Sequence, residues 1–206
     1  MYARSNTITA RPERIDDGIR MVTDEVMPLV MGLDGSRGMS MLVDRQSGRC
    51  IVTTAWDDMD RMRGSDRMVM AARQRVGEAM GAEAMVEEWE IACLHREHPA
   101  TSGSAALVVW AQLDQGSMDH GIDTYRMRVL PTLDEMDGFC SASLFVDRMT
   151  GRSCATATFE SRDALMRNRD SLASMRDRNM PEAGVTATDV CEFELVLAHL
   201  HVPETV

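Results

Sequence analysis

His120 and Tyr125 could supply a general base and a hydrogen-bond donor to one reaction centre. That pairing would suit a substrate from which a carbanion can be formed. The protein would then contribute only a base, a donor and the exclusion of water. On a helix, a spacing of five residues puts the two side chains about 140° apart, so they do not share a face cleanly. Trp56, Trp110 and Phe159 are the aromatic residues that could wall an apolar pocket, and Trp56 and Phe159 read equally well as core. Glu88, Glu90, Glu192 and Glu194 alternate with other residues, so each pair lies on one side of its strand. Pairing with arginines on neighbouring strands is the expected outcome there, with cation binding the alternative. His95, His98, His199 and His201 gather near matching strand ends without a recognised zinc spacing, so no metal site is expected.

Composition excludes several chemistries. The 206-residue chain contains no lysine, which removes Schiff-base catalysis, pyridoxal phosphate attachment and a Walker lysine. The net charge of −11, spread over both halves without a basic stripe, argues against nucleic acid and anionic membranes as partners. Apolar runs are strand-sized, and the polar start of the chain carries no signal-peptide pattern. The five cysteines form no Cys-x-x-Cys pair and fall in apolar strand-like segments, as expected of reduced thiols in a cytoplasmic protein. The 19 methionines fit adaptable packing of helices on sheet, or a pocket for a flat apolar ligand.

The elements that must position these residues occur twice. Ile15 to Met62 lies over Met118 to Leu165 at a constant offset of 103, with identities at Asp16/Asp119, Gly18/Gly121, Pro28/Pro131, Asp44/Asp147 and Arg45/Arg148. Duplication explains a register held over so long a span. Apolar residues at Ile15, Ile19, Val22, Val26 and Leu29, and at their second copies, predict a first helix kinked by Pro28 or Pro131. A hairpin follows, with Asp opening the turn and Gly48 or Gly151 closing it. A second helix and a final strand complete each half. The order βαββαβ is the ferredoxin-like arrangement, which leaves one sheet face uncovered. The expected fold is therefore α+β: tandem ferredoxin-like βαββαβ repeats forming an intramolecular dimeric α/β barrel. The repeats are placed at 1–95 and 105–206, with a linker at 96–104. The copies are not identical: Trp110 stands opposite Thr7, Tyr125 opposite Val22, and His120 opposite Asp17.

The hairpin entering Thr53-Thr54-Ala55-Trp56-Asp57-Asp58, its second copy Thr156-Ala157-Thr158-Phe159-Glu160-Ser161, and the closing Glu88-Trp89-Glu90 and Glu192-Phe193-Glu194 resemble the dimeric α/β-barrel superfamily. The likeness is greatest to the antibiotic biosynthesis monooxygenase family and its tandem relatives, and it covers nearly the whole chain. It implies a small-molecule pocket between sheet and helices in each half, with Asn6, Trp56, Trp110 and Phe159 as pocket residues. Members include cofactor-independent monooxygenases of polycyclic aromatics and haem-degrading enzymes. The latter resemble this chain in an Asn on the first strand, here Asn6. They need an iron-ligating His on the second helix, and neither second helix here has one. The expectation is thus a monooxygenase-like protein for an aromatic or polyketide-like ligand, without cofactor, with His120 and Tyr125 as its catalytic pair. The alternative is a non-catalytic binding or structural relative. The partner is a small molecule, and association into a further homodimer stays open.

Overall fold

A computed structural model describes residues 1–114 and 116–205. The first copy runs β1 (Tyr2–Thr9), α1 (Ile15–Met21), α2 (Met27–Met31), β2 (Ser36–Val43), β3 (Arg49–Trp56), α3 (Met59–Gly64), α4 (Asp66–Met80) and β4 (Met85–Arg96). The second repeats it as β5 (Ala105–Leu113), α5 (Met118–Thr124), α6 (Leu130–Asp134), β6 (Phe139–Asp147), β7 (Arg152–Phe159), α7 (Arg162–Arg167), α8 (Arg169–Glu182) and β8 (Val185–Leu200). The strands are hydrogen-bonded in the order β1-β3-β2-β8-β5-β7-β6-β4 and close as a barrel, so the fold is the tandem α+β barrel expected from the duplication. No helix among the described residues is long and apolar enough to cross a membrane.

Two compact units make up the chain: Met1–Trp89 with Leu195–Val202, and Glu90–Glu194 with Pro203–Val206. The long strands β4 and β8 each contribute one end to either unit. Each unit has its own core. In the first, Ile8, Ile15, Met39, Met41, Trp56, Met62 and Met80 pack together. In the second, Leu130, Leu133, Phe139, Phe159, Leu165 and Met175 do so.

The recurring Asp-Arg of the hairpins has a structural cause. The Asp44 carboxylate accepts the Gln46 N–H at 2.9 Å, and Asp147 accepts that of Met149 at 2.9 Å. The adjoining arginines reach the first helix of their own copy, Arg45 to Asp16 at 2.9 Å and Arg148 to Asp119 at 2.8 Å. Turn geometry and helix docking thus account for the motif.

The proline in the first helix acts differently from a simple kink. Ahead of Pro28 the helix widens to a π turn over Val22–Val26, closed by the Met27 N–H donating to the Val22 carbonyl. The second copy does the same over Tyr125–Val129, with the Leu130 N–H donating to the Tyr125 carbonyl. Widening by one residue makes room for the proline ring and reroutes the hydrogen bonds it interrupts, so the chain stays helical.

Candidate functional site

Each unit has a half-open cavity between its sheet and its helices. The first, of about 40 Å³, is lined by Arg4, Asn6 and Ile8 of β1, Val22, Val26 and Val30 of the first helix, Val52, Thr54 and Trp56 of β3, and Val69, Arg73 and Val76 of α4. The second, of about 130 Å³, is lined by Leu107, Val109 and Ala111 of β5, Tyr125, Val129 and Leu133, Ala155 and Ala157 of β7, Leu172, Arg176 and Asn179 of α8, and further neighbours. Every residue of the first cavity except Trp56 has its counterpart, 103 positions on, in the wall of the second. The two cavities are one site in two copies. Both π turns face inward, each presenting its first and last residue to the cavity.

Substitutions between the copies explain the difference in size. Ile8 becomes Ala111, Val52 becomes Ala155 and Thr54 becomes Ala157, which clears the sheet side of the second cavity. They also change its chemistry. Arg4 and Asn6 become Leu107 and Val109, leaving the second wall mostly apolar.

In the first unit Arg4 is 3 % exposed. It donates to Glu88 at 3.0 Å and to Ser65 at 3.4 Å, and lies 3.4 Å from Asp66. Asn6 donates to the Val52 carbonyl at 3.3 Å, while its own Oδ1 and the Arg4 Nε are buried without a partner among the described residues. Burial pulls the Glu88 carboxyl upward, but hydrogen bonds from Arg4 and Arg63 outweigh it and hold the group below its ordinary value. A carboxyl lowered in this way stabilises the fold above the ordinary carboxylate range and loses that contribution as pH falls through the folded-state value. Glu88→Gln should therefore flatten the acid limb of a melting-temperature profile taken from about pH 6 to about pH 3. Identical limbs in both proteins would remove Glu88 from the acid response.

Tyr125 lines the second cavity. Its hydroxyl donates to the Ser143 carbonyl at 3.2 Å. Burial pushes the phenol well above its ordinary pKa, so it stays protonated and serves as a donor. His120 is exposed on the outer side of α5, with Nε2 3.3 Å from the Glu182 carbonyl oxygen, and it lines neither cavity. The helical spacing that separated the two residues in the sequence is what parts them here. Asn6 and Trp56 meet in the first cavity. Phe159 packs edge-on against Phe139 at 5.9 Å in the core. Trp110 lies on the opposite face of β5 from Leu107, Val109 and Ala111, edge-on to Phe193 at 6.2 Å.

Strand glutamates meet arginines, Glu88 as above, Glu90 with Arg148 at 2.7 Å and Glu192 with Arg169 at 2.7 Å. His95 pairs with Asp134 at 2.8 Å, and His199 stacks edge-on against His201. The five cysteines are unbridged. Sequence reasoning passed over Arg176 and Asn179. Their signal was the position of Arg73 and Arg176 one helical stripe from the buried Val69/Leu172 pair, readable once the repeat is extended through α4 and α8.

No protein-family model matches the chain. It is 49% identical over 206 residues to protein Rv2557 of Mycobacterium tuberculosis, covering all of this chain and 92% of that protein. It is 46% identical over 207 residues to Rv2558 of the same organism, covering 88% of it. Among solved structures it resembles an anthrone oxidase-like protein, with a TM-score of 0.69 at 12% identity over 95% of this chain and 91% of that one. It also resembles the haem-degrading enzyme LmHde of Listeria monocytogenes, with a TM-score of 0.53 at 8% identity over 94% of this chain and 99% of that one. At such identities the structural likenesses establish the fold alone.

Proposed function

We propose that this chain, which belongs to the family of Mycobacterium tuberculosis Rv2557 and Rv2558 and has the dimeric α/β-barrel fold of the antibiotic biosynthesis monooxygenase type, binds a small, largely apolar, ring-sized molecule in its second-half cavity. The observation that carries this reading is the asymmetry of the duplicated site. One copy has become smaller and polar, the other larger and apolar, although both keep the same framework. An apolar protein cavity of roughly 150 Å³ can take up benzene, so about 130 Å³ suits a single ring rather than a polycycle. The first-half cavity, at about 40 Å³, has room for solvent-sized occupants only.

Binding is favoured over oxygenation because of the wall's proton chemistry. Among the described lining residues there is no carboxylate, imidazole or thiol to act as a base. Tyr125 holds its proton, and His120 is outside. Residence in the cytoplasm belongs to the same proposal, in keeping with the unbridged cysteines.

The test is binding of toluene and phenylacetamide, followed by ligand-observed NMR and thermal shift, in the natural chain and in Ala157→Leu. Leucine at this position fills the cavity from β7 and is expected to abolish binding, with overpacking costing no more than about 1–3 kcal/mol. Equal binding to both proteins would place the ligand elsewhere. Oxygen consumption with a bound probe would restore the oxygenase reading.

A further inference from the structure

We infer that the molecule held in the second-half cavity carries a carboxylate, being a small aromatic or branched aliphatic acid, and that Arg176 is its anchor; this rests on the binding reading above. The argument comes from comparing the two copies. In the first, Arg73 occupies the corresponding place on α4 and is held by Asp66 at 2.9 Å. Asp66 also lies 3.4 Å from Arg4, so that cavity's positive charges are answered from within the protein.

In the second copy the answering group is gone. The residue corresponding to Asp66 is Arg169, whose guanidinium pairs with Glu192 at 2.7 Å. Arg176 keeps its place on the cavity wall. Among the described residues its one acidic neighbour is Asp177, the next residue of α8, 3.5 Å from Nε. Asp177 is largely solvent-exposed, and contact at Nε leaves the two terminal nitrogens, with their four N–H donors, for another partner. The Arg176 side chain is itself half-buried, at 28% exposure. A guanidinium in that position matches the planar, two-oxygen geometry of a carboxylate better than any neutral group. The remaining wall is mostly apolar, with Tyr125 on the facing helix and hydroxyl side chains at Thr124, Ser153 and Thr156, and accepts the acid's hydrocarbon body. Asn179 adds no competing charge, and its amide donates to the Met175 carbonyl at 2.9 Å.

The experiment compares phenylacetate, phenylacetamide and toluene by calorimetry and ligand-observed NMR on the full chain, on Arg176→Gln and on Arg169→Asp. In the natural chain, phenylacetate is expected to bind about tenfold or more tightly than phenylacetamide, as a charge-assisted pair requires. Arg176→Gln should remove the preference for the acid over the amide while leaving toluene unchanged. Arg169→Asp keeps Arg176 but restores the first copy's internal counter-ion, so it too should erase the preference for the acid. Circular dichroism confirms that each variant is folded, and the unchanged toluene affinity confirms an intact cavity. Equal affinity for acid and amide in the natural chain, or a parallel loss of both in Arg176→Gln, would overturn the carboxylate inference and leave the binding reading standing. Failure of all three probes to bind the natural chain would overturn both.

Discussion

Trp56→Ala is expected to lower folding stability by about 3–5 kcal/mol, the usual cost of emptying a large aromatic site in a core. The side chain is 1 % exposed and closes the end of the first-half cavity. Its indole N–H donates to Thr54 Oγ1 at 3.0 Å, and the Thr54 hydroxyl lies 3.4 Å from the Arg4 carbonyl, so truncation also leaves a buried hydroxyl short of a donor. The core it belongs to includes the β-branched Val22, Val52 and Val69, whose restricted rotamers limit how far that core can rearrange around a gap. Phe159→Ala in the second unit should cost a comparable amount, since Phe159 is fully buried and loses its edge contact with Phe139. Urea denaturation of the two variants measures both. A loss below about 1 kcal/mol in either would mean that its surroundings relax to fill the gap.

Gly38→Ala is the second large effect, and it differs in cause because nothing is removed. Gly38 has φ of +112° at a bulge in β2. That conformation alone costs an ordinary residue about 1–3 kcal/mol. An added methyl group would also overlap the backbone carbonyl of His199 in β8. That backbone has little freedom to retreat, because the His201 N–H donates to the Arg37 carbonyl at 2.7 Å. The variant should melt well below the natural chain. Gly18→Ala is the informative contrast, because the nearest atoms its added methyl would meet belong to the unbranched Met80 side chain and not to backbone. A smaller loss for Gly38→Ala than for Gly18→Ala would contradict this account. Position 141, the counterpart of Gly38, is a serine and has no positive φ, so comparing the copies as sequences would wrongly suggest tolerance.

The duplication, the order of elements, the hairpin turns and the tandem barrel were all legible in the residues. Each of them rests on short-range rules: helical and strand periodicity, turn chemistry, and the need of a half-covered sheet for a partner. The separation of His120 from Tyr125 was legible too, because five residues of helix fix an angle whatever surrounds it. Pro28 and Pro131 announced an irregular helix, but not that it would widen into a π turn, since the choice between kinking and widening depends on what packs against the turn. The facing of β5 was out of reach. Its run Ala105-Ala-Leu-Val-Val-Trp110-Ala is apolar on both sides, so alternation could not tell that Leu107 and Val109 look into the cavity while Trp110 looks away. The division of β4 and β8 between two units was equally hidden, because it depends on which strands each end pairs with. So the chain's own pattern determined its repeats and the order of their elements. Tertiary packing decided which copy keeps an open apolar cavity and that Arg176 lines it, because cavity volume and charge pairing are sums over residues that only the folded chain brings together.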